Sequence, residues 1–436
     1  MKTFHAKAQR SGARRKGSIW KLSLICMGLV LFAGPPGFVQ QKQDLKESYS
    51  APVVPLRHYE IKPETLPPPN LGPDADNPPR GVPRPSDAAL HLPPGFDVNV
   101  FAEGDFRFVR WMALAPNGDV FVTDAEAKKV IVLRDTDGDG KVDARFVFAS
   151  DLNLPFGMAF WNNYLYVGMT NAVVRFPYKT GQTEAQGPPE KIADLPGLGY
   201  RQHWTRNVIF DPSGKKLYVT VGSESNVDAE KDPMRATITE YNPDGSGKRT
   251  FASGLRNPIG LAFNPSTKRL WATVQERDRL GDDLPPDYLT EVKENGFYGW
   301  PYSYIGKNED PRRKGERPDL VSKAIVPEVL IQAHSAVLGL VFYNGSMFPK
   351  EYRGDAFIAL HGSWNRSKRT GYKIIRVRFK GNKPVGGYED FLTGWMLDES
   401  RRDVWGRPAG LLVLKDGSML VSDDGANKIW RVTYRK

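Results

Sequence analysis

Short apolar runs separated by tight polar turns recur along this chain from residue 112 onward. In each copy, a turn of Asn, Asp, Pro and Gly residues separates two apolar runs, the second of which is rich in β-branched and aromatic residues. Alternation on either side of such a turn predicts two antiparallel strands. The copies occupy residues 112–123, 157–168, 207–220, 260–273, 339–345 with 355–359, and 410–422.

These six predicted hairpins indicate a single repeated architecture. Further apolar runs, such as residues 129–133 and 428–432, predict additional strands after several copies. Hairpins repeated in this way are typical of a β-propeller, in which four-stranded sheets surround an axis. We therefore predict an all-β, six-bladed propeller over residues 92–436. A row of separate β-sandwiches is the alternative, but it would not reuse one turn pattern six times.

The N-terminal 33 residues have a different pattern. They hold seven Lys or Arg residues, no acidic residue, and an apolar run over residues 22–33. That run has the length of a secretory signal and is short for a membrane span. We expect residues 1–33 to be a cleaved signal peptide or, in the alternative, an uncleaved N-terminal anchor. Either expectation exports the rest of the chain to a periplasmic or extracellular location, and only this segment would contact a membrane.

Residues 34–91 form a predicted proline-rich linker. Residues 34–95 contain 15 of the 35 prolines of the chain. Because proline lacks the amide donor that helices and sheets need, this segment is expected to be an extended tether or a strap lying on the domain surface.

Charge and cysteine content exclude several function classes. The net charge is +11, but seven of those positive charges lie in the N-terminal 33 residues, which leaves +4 for the rest. So mild an excess does not predict a nucleic-acid partner. The one cysteine, Cys26, excludes an internal disulfide, a cysteine zinc site, an iron–sulfur cluster and a CxxCH haem. Electrons from any redox reaction must therefore pass to a separate acceptor.

Polar residues stand beside the predicted inner strands at similar places in several copies. Because the inner strands of a propeller surround one axis, we expect these side chains to converge near the mouth of the central channel. For each residue alone, a surface histidine or a channel-lining arginine is the alternative. The candidates are His203, His334, His361, Arg256, Asn257 and Arg407.

An acidic loop at residues 276–283 is a candidate calcium site. It carries four carboxylates and a glycine within eight residues, and calcium takes six to eight oxygen ligands. A solvated acidic loop is the alternative. The carboxylates belong to Glu276, Asp278, Asp282 and Asp283.

A second acidic loop resembles the opening of an EF-hand. Gly140 stands at its sixth place, but Phe146 replaces the glutamate expected at the twelfth, and the loop lies between predicted strands. We interpret it as a structural calcium loop, with a plain Asp–Gly turn as the alternative. Its candidate ligands are Asp135, Asp137, Asp139 and Asp143.

Together these residues resemble the soluble quinoprotein sugar dehydrogenases, and more closely the L-sorbosone dehydrogenase-like branch. The resemblance covers residues 92–436 and is most specific at residues 254–258, 276–287, 299–301 and 361–366. It implies a six-bladed propeller that holds pyrroloquinoline quinone, with calcium, over the channel mouth. It also implies oxidation of the anomeric or aldehydic carbon of a sugar by hydride transfer to that quinone.

The resemblance also implies roles for individual residues. His203 matches the catalytic base, and Arg407 matches an arginine that pairs with the cofactor carboxylates. The remaining positions assigned to cofactor binding are Arg256, Asn257, His361 and Arg366, and the loop at 276–283 matches the calcium-bearing loop.

Two departures from the family pattern matter. Ile259 replaces a frequent glutamine, and Glu-Arg-Asp-Arg at 276–279 replaces Glu-Gln-Gly-Pro. The identity of the calcium ligands therefore stays open, and the substrate need not be glucose.

The chemistry of the resemblance is coherent with these residue types. A histidine with a pKa near neutrality suits removal of a hydroxyl proton, calcium polarises a quinone carbonyl, and arginines bind carboxylates. Two other classes stay open. One is a calcium-dependent propeller lactonase or other hydrolase, which needs no quinone. The other is a non-catalytic propeller that binds carbohydrate or protein.

Overall fold

The structure, a computed structural model, describes residues 49–51, 54–72, 75–197, 203–381 and 383–435. The predicted signal or anchor at 1–33 and the start of the predicted linker lie outside these residues. No helix within the described ranges is long and apolar enough to cross a membrane.

Short strands make up nearly all of the regular structure. In chain order they are β1 His58–Tyr59, β2 Arg80–Gly81, β3 Phe96–Glu103, β4 Val109–Leu114, β5 Val120–Asp124, β6 Lys129–Arg134, β7 Ala144–Ala149, β8 Met158–Trp161, β9 Tyr164–Met169, β10 Ala172–Pro177, β11 Glu190–Asp194, β12 Val208–Phe210, β13 Leu217–Val221, β14 Thr237–Tyr241, β15 Arg249–Ser253, β16 Asn257–Phe263, β17 Leu270–Gln275, β18 Asp287–Glu291, β19 Gly296–Phe297, β20 Ser303–Tyr304, β21 Asn308–Glu309, β22 Val329–Ile331, β23 Val337–Phe342, β24 Ala356–Leu360, β25 Lys373–Val377, β26 Phe379–Lys380, β27 Lys383–Pro384, β28 Tyr388–Leu392, β29 Asp403–Val404, β30 Pro408–Val413, β31 Met419–Asp423 and β32 Lys428–Tyr434. The helical segments are a single α-helical turn, α1 Pro318–Val321, and three 3₁₀ turns, Pro63–Thr65, Pro311–Arg313 and Lys350–Tyr352.

The strands assemble into six blades, which confirms the predicted propeller. From the axis outward, blades 1 to 3 are β4-β5-β6-β7, β8-β9-β10-β11 and β12-β13-β14-β15. Blades 4 to 6 are β16-β17-β18-β22, β23-β24-β25-β28 and β30-β31-β32-β3. The innermost strands of successive blades contact one another around the ring. Each predicted hairpin forms the two inner strands of one blade.

Blade 6 closes the ring with the N-terminal strand of the domain. Strand β3 pairs antiparallel with the C-terminal strand β32, from Phe96 opposite Tyr434 to Glu103 opposite Lys428. The two ends of the domain are thereby joined in a single sheet, which protects an edge that would otherwise be exposed.

Strands in the middle of the blades are covered on both faces. Strands β5, β13, β24 and β31 are buried along their full length. A strand buried on both faces needs apolar residues on both, which explains why each of these strands begins with at least three consecutive apolar residues instead of alternating.

Small residues at fixed places in the copies let the inner strands approach one another. A Cβ atom on Gly260 would lie 2.4 Å from the carbonyl oxygen of Leu338 in the next blade. The hydroxyl that ends a copy joins adjacent blades at Thr123, Thr273 and Ser422. Thr273 Oγ1 accepts from Gly260 N at 2.9 Å and donates to Leu338 O at 2.7 Å, and Ser422 makes the equivalent bridge.

An apolar plug fills the channel beneath its mouth. Its buried members come from five different blades and pack into one cluster, with Trp204 against it. The channel is therefore closed by a packed apolar core at this level. The members are Trp111, Phe156, Ile259, Leu338 and Ala409.

The described part of the proline-rich segment lies on the propeller as a strap. Strand β1 adds to the outer edge of blade 5, and β2 pairs with β29. The strap also reaches two loops at the channel mouth, because Asn70 N donates to Leu280 O at 2.9 Å and Asn77 N donates to Trp364 O at 2.8 Å. Of the two alternatives for this segment, the structure shows the strap.

Candidate active site

A cavity of about 280 Å³ lies at the mouth of the channel. Residues at or just before the starts of five inner strands line it, together with the loops that follow β17 and β24. Ile259 and Leu338 belong both to the plug and to the lining, so the plug forms part of the cavity wall. The cavity brings together seven of the assigned site residues, His203, Arg256, Asn257, Glu276, Asp278, His361 and Arg407, and also the candidate His334.

The His203 imidazole is held by the loop that follows β13. Its Nδ1 lies 3.0 Å from the carbonyl oxygen and 3.0 Å from the hydroxyl of Ser223. Since a carbonyl oxygen only accepts, Nδ1 carries the proton of the neutral ring and Nε2 is its basic nitrogen. Burial and the nearby charge of Arg256 lower the pKa of His203 well below 6.5. This direction departs from the expected pKa near neutrality and favours the neutral ring.

Arg256 ties together the loops around the cavity. Its Nη1 donates to Glu276 O at 2.6 Å, its Nε donates to Asn226 O at 3.2 Å, and its Nη2 lies 3.1 Å from Asp278 Oδ2. Burial alone would raise the pKa of Asp278, but Arg256 and His334 outweigh it and lower that pKa to about 2. Arg256 and Asp278 thus form a buried ion pair in the wall.

His361 is engaged with a buried ion pair. Its Nε2 lies 2.9 Å from both carboxylate oxygens of Asp424, and Arg110 pairs with the same carboxylate. Burial, then the charge of Arg407, lowers the pKa of His361 to about 4. Because a carboxylate only accepts, its two contacts assign the proton to His361 Nε2; Arg110 Nη1, which lies 3.2 Å from the same nitrogen and can only donate, then donates to Asp424 and not to His361.

His334 is held by the acidic loop. Its Nε2 lies 2.9 Å from Gly281 O and its Nδ1 lies 3.6 Å from Asp278 Oδ1. Burial by itself lowers the pKa of His334, but the hydrogen bond and the charge of Asp278 prevail and raise it. Of the three histidines, His334 therefore favours its charged form the most.

Arg407 presents a buried guanidinium with no carboxylate partner. Its Nε donates to His361 O at 3.2 Å and its Nη2 to Gly362 O at 3.5 Å, both weak contacts. No carboxylate oxygen of the described residues lies within 4.0 Å of its guanidinium nitrogens, although its backbone N donates to Asp423 Oδ1 at 2.7 Å. Burial lowers the pKa of Arg407, although the charge of Asp424 opposes that effect. A buried cation without a counter-ion is an anion-binding feature.

Several lining residues have acceptor oxygens with nothing to accept from. These oxygens are buried and have no hydrogen-bond partner among the described residues. Buried polar atoms are nearly always satisfied, so unpaired acceptors around one cavity indicate that a bound molecule or ion completes them. The atoms are Asn257 Oδ1, Glu276 Oε1 and Asn365 Oδ1.

The acidic loop at 276–283 does not gather its carboxylates at one point. Glu276 pairs with Arg277 at 3.0 Å, whereas Asp278 pairs with Arg256. Asp282 accepts from Ser367 N at 3.1 Å. The structure therefore does not bring the four carboxylates together, because these side chains point to different partners, and the calcium ligands of this loop stay a prediction.

Arg366 is also placed outside the cavity. Its Nη2 lies 2.7 Å from Asp283 Oδ1, and its Nη1 donates to the backbone of Asp282. These three residues fasten one loop to another and are absent from the cavity lining. Arg366 therefore does not reach the cavity in this structure, and its role as a cofactor ligand stays a prediction.

The loop between β6 and β7 does gather carboxylates. Ligand atoms of Asp135, Asp137 and Asp143 lie within 4.8 Å of one another, and within the described ranges this is the one such group of three. Asp139 is not a member, since its carboxylate accepts from Lys141 N at 2.7 Å. Hydrogen bonds from Thr136 lower the pKa of Asp143.

Two ionisable lining residues and one ionisable residue behind the lining are absent from the sequence prediction. Arg110 lines the cavity and precedes the first hairpin, just as Arg407 precedes the sixth. Asp424 contacts Arg110 and His361 from outside the lining, and it follows the sixth hairpin just as His361 follows the fifth. That shared placement was a usable signal. Asp287 also lines the cavity, but no pattern in the sequence indicated it. Its carboxylate accepts from Glu276 N and Ala336 N, and burial raises its pKa to about 7.

Comparison with known proteins decides the family. The chain matches the family described as TrAA12-like over residues 90–295 and 315–435. The chain belongs to the TrAA12-like family. An uncharacterised protein of Borreliella burgdorferi is 31% identical over 365 residues, which cover 80% of this chain and 92% of that protein.

Two functionally named relatives match over shorter stretches. The aldose sugar dehydrogenase of Escherichia coli is 28% identical over 36% of this chain and 44% of its own length. The pyrroloquinoline quinone-dependent pyranose dehydrogenase of Coprinopsis cinerea is 24% identical over 54% of this chain and 40% of its own length. The chain thus spans less than half the length of either relative.

Solved structures share the fold. The holo pyrroloquinoline quinone domain of the Coprinopsis cinerea pyranose dehydrogenase superposes with a TM-score of 0.68 at 19% identity, covering 81% of this chain and 98% of that domain. A calcium structure of the Trichoderma reesei family AA12 enzyme gives 0.70 at 20% identity, with 80% and 98% coverage. The resemblance to soluble quinoprotein sugar dehydrogenases is confirmed for this TrAA12-like chain, and the L-sorbosone branch stays a prediction.

Proposed function

We propose that this TrAA12-like protein is a quinoprotein oxidoreductase that oxidises an aldose sugar or a sugar aldehyde of the sorbosone type. Pyrroloquinoline quinone binds in the cavity and His203 is the base. The observation that carries the proposal is the buried, unpaired guanidinium of Arg407 in the same cavity as the neutral imidazole of His203. The names of the Coprinopsis cinerea and Escherichia coli relatives support the substrate and cofactor classes.

The lining residues fit an anionic quinone. Pyrroloquinoline quinone carries three carboxylates, and Arg407 offers a guanidinium fork that no described carboxylate occupies. Arg256 already neutralises Asp278, so it contributes shape and hydrogen bonds more than free charge. His361 and Asn257 complete the wall.

His203 has the protonation state that a base requires. With Nδ1–H directed to Ser223 O, its Nε2 takes the hydroxyl proton as the carbinol carbon is oxidised. When bound, the quinone supplies the acceptor for the hydride that leaves that carbon. His361 is excluded from this role because its Nε2 proton is committed to Asp424.

Calcium is proposed at two places. At the cavity, Glu276 is the carboxylate with an unpaired buried oxygen, so it is the protein ligand that this chain offers there. In the β6–β7 loop, Asp135, Asp137 and Asp143 offer three carboxylates for a structural ion. We further propose that the protein is exported, and that a separate acceptor reoxidises it.

Isothermal titration of the apo-protein with pyrroloquinoline quinone tests the proposal. We expect a single site in the presence of calcium and weaker binding with excess chelator. The Arg269→Ala variant, which removes an exposed arginine outside the cavity, is expected to bind like the wild type. Absence of quinone binding under both conditions contradicts the proposal. Sugar binding without quinone binding would instead support a carbohydrate-binding propeller.

A further inference from the structure

Trp364 stands out among the tryptophans because it is exposed. Nine of the ten tryptophans lie in the described residues, and among these Trp364 alone is more than about a third exposed, at 37%. It lines the cavity and follows β24 by four residues. An exposed indole forfeits the stabilisation that burial would bring, so its place at a ligand cavity calls for another explanation.

The backbone that carries Trp364 is tightly held. Ser363 N donates to Thr370 O at 3.0 Å, and Ser363 O accepts from the Tyr372 hydroxyl at 2.6 Å and from Arg369 Nη1 at 3.0 Å. On the other side, Asn365 Nδ2 donates to Asp278 Oδ1 at 2.8 Å. Trp364 is therefore exposed on a loop whose backbone is held in place by hydrogen bonds.

The strap fixes the same loop from outside. Asn77 N donates to Trp364 O at 2.8 Å, and Asn77 Nδ2 donates to Arg366 O at 3.0 Å and to Ser367 O at 3.1 Å. Asn77 Oδ1 in turn accepts from Arg369 Nη2 at 2.9 Å. Asn77 thus holds the carbonyl group of Trp364 with its backbone and the residues that follow Trp364 with its side chain.

We infer that Trp364 is the platform on which the sugar ring of the substrate stacks, and that Asn77 is the strap residue that positions it. This inference rests on the proposed function. The apolar C–H face of a closed pyranose packs on an indole, while the ring hydroxyls remain available to polar groups of the cavity. Because hydrogen bonds already order the loop, little conformational entropy is lost when a sugar binds to the indole.

The first test compares Trp364→Ala and Trp364→Phe with a matched control. Phe146→Ala removes an aromatic side chain of similar exposure, 38%, that lies outside the cavity lining. Calorimetric titration with methyl β-D-glucopyranoside, which cannot be oxidised at its anomeric carbon, reads ring binding alone. We expect about a tenfold loss of affinity in Trp364→Ala, most of it recovered in Trp364→Phe, and no loss in the control.

Turnover gives a second readout. For D-glucose we expect KM to rise about tenfold in Trp364→Ala with kcat little changed, whereas KM for the acyclic D-glyceraldehyde stays the same. Equal glycoside affinity in the wild type and Trp364→Ala, or no binding to the wild type, overturns the inference. Quinone affinity, measured alongside, must be unchanged in Trp364→Ala. If the wild type binds the glycoside but no quinone, the proposed function fails while the platform stands.

A double-mutant cycle tests the positioning role of Asn77. We expect Asn77→Ala to weaken glycoside binding several-fold, and to have no further effect when Trp364 is already alanine. The neighbouring Asp76→Ala removes an exposed strap side chain and serves as the control. Additive losses from Asn77→Ala and Trp364→Ala would show a general structural effect and contradict the positioning role.

Discussion

Replacing Arg407 by methionine separates a cofactor-binding arginine from a structural one. Methionine keeps much of the side-chain volume and removes the charge. In the apo-protein the guanidinium makes two long contacts to carbonyl oxygens, lies 5.8 Å from the Tyr372 ring centroid, and has no carboxylate partner among the described residues. Its burial is therefore a cost that the folded apo-protein carries.

Arg407→Met should weaken quinone binding without destabilising the apo-protein. Loss of a desolvated guanidinium–carboxylate contact costs about 2–5 kcal/mol, which is roughly thirty-fold to several thousand-fold in the Kd for the quinone. The free energy of unfolding of the apo-protein should stay equal or rise by about 1–2 kcal/mol, because an unpaired buried charge is removed.

Arg256→Met provides the contrast. It leaves Asp278 buried without its ion-pair partner, so the apo-protein should lose about 3–5 kcal/mol of stability. Urea unfolding of both apo variants in the presence of chelator measures their two stabilities. Calorimetric titration with the quinone measures their two affinities. A quinone Kd within threefold of the wild type for Arg407→Met, or a stability loss as large as that of Arg256→Met, would refute the reasoning.

Four further predictions concern His203, one bridge between blades and the β6–β7 loop. His203→Gln should fold and bind the quinone but lose about 10²- to 10⁴-fold in kcat. Because the pKa of His203 lies well below 6.5, wild-type kcat should be flat from pH 6.5 upward and fall only at lower pH as the imidazole gains a proton; a rise centred near pH 6.5 or above would contradict this. Thr273→Val breaks a bridge between blades 4 and 5 and should cost about 1–3 kcal/mol in urea unfolding, whereas the exposed Thr250→Val should not. Calcium should raise the Tm of the wild type, and Asp137→Asn should abolish most of that increase while Asp139→Asn retains it.

The architecture was accessible from the sequence because each blade is locally encoded. Its two inner strands are neighbours in the chain, so alternation and turn residues suffice to predict them. The closure of blade 6 was not predictable in this way. Strand β3 pairs with β32 across more than three hundred residues, and nothing in the pattern near Phe96 specifies that partner.

Site residues at the starts of the inner strands were predictable from their place in the repeat. Strand starts converge on the axis, which is why Arg256, Asn257 and Arg407 share one cavity. The spacing of residues along a loop does not determine which way each side chain points. Within eight residues, Glu276 and Asp278 line the cavity while Asp282 contacts another loop, because the direction of each side chain follows from its local partners.

Reduction of the bound quinone by sugar is the measurement that tests the central claim most directly. Calcium-loaded wild type and His203→Gln are each reconstituted with pyrroloquinoline quinone without oxygen, mixed with D-glucose or a sugar aldehyde, and followed by absorption. The account predicts that the spectrum of the oxidised quinone disappears in a single turnover in the wild type, and at least a hundredfold more slowly in His203→Gln. An unchanged spectrum in the wild type with every sugar and sugar aldehyde tried, or equal rates in the two proteins, would contradict it.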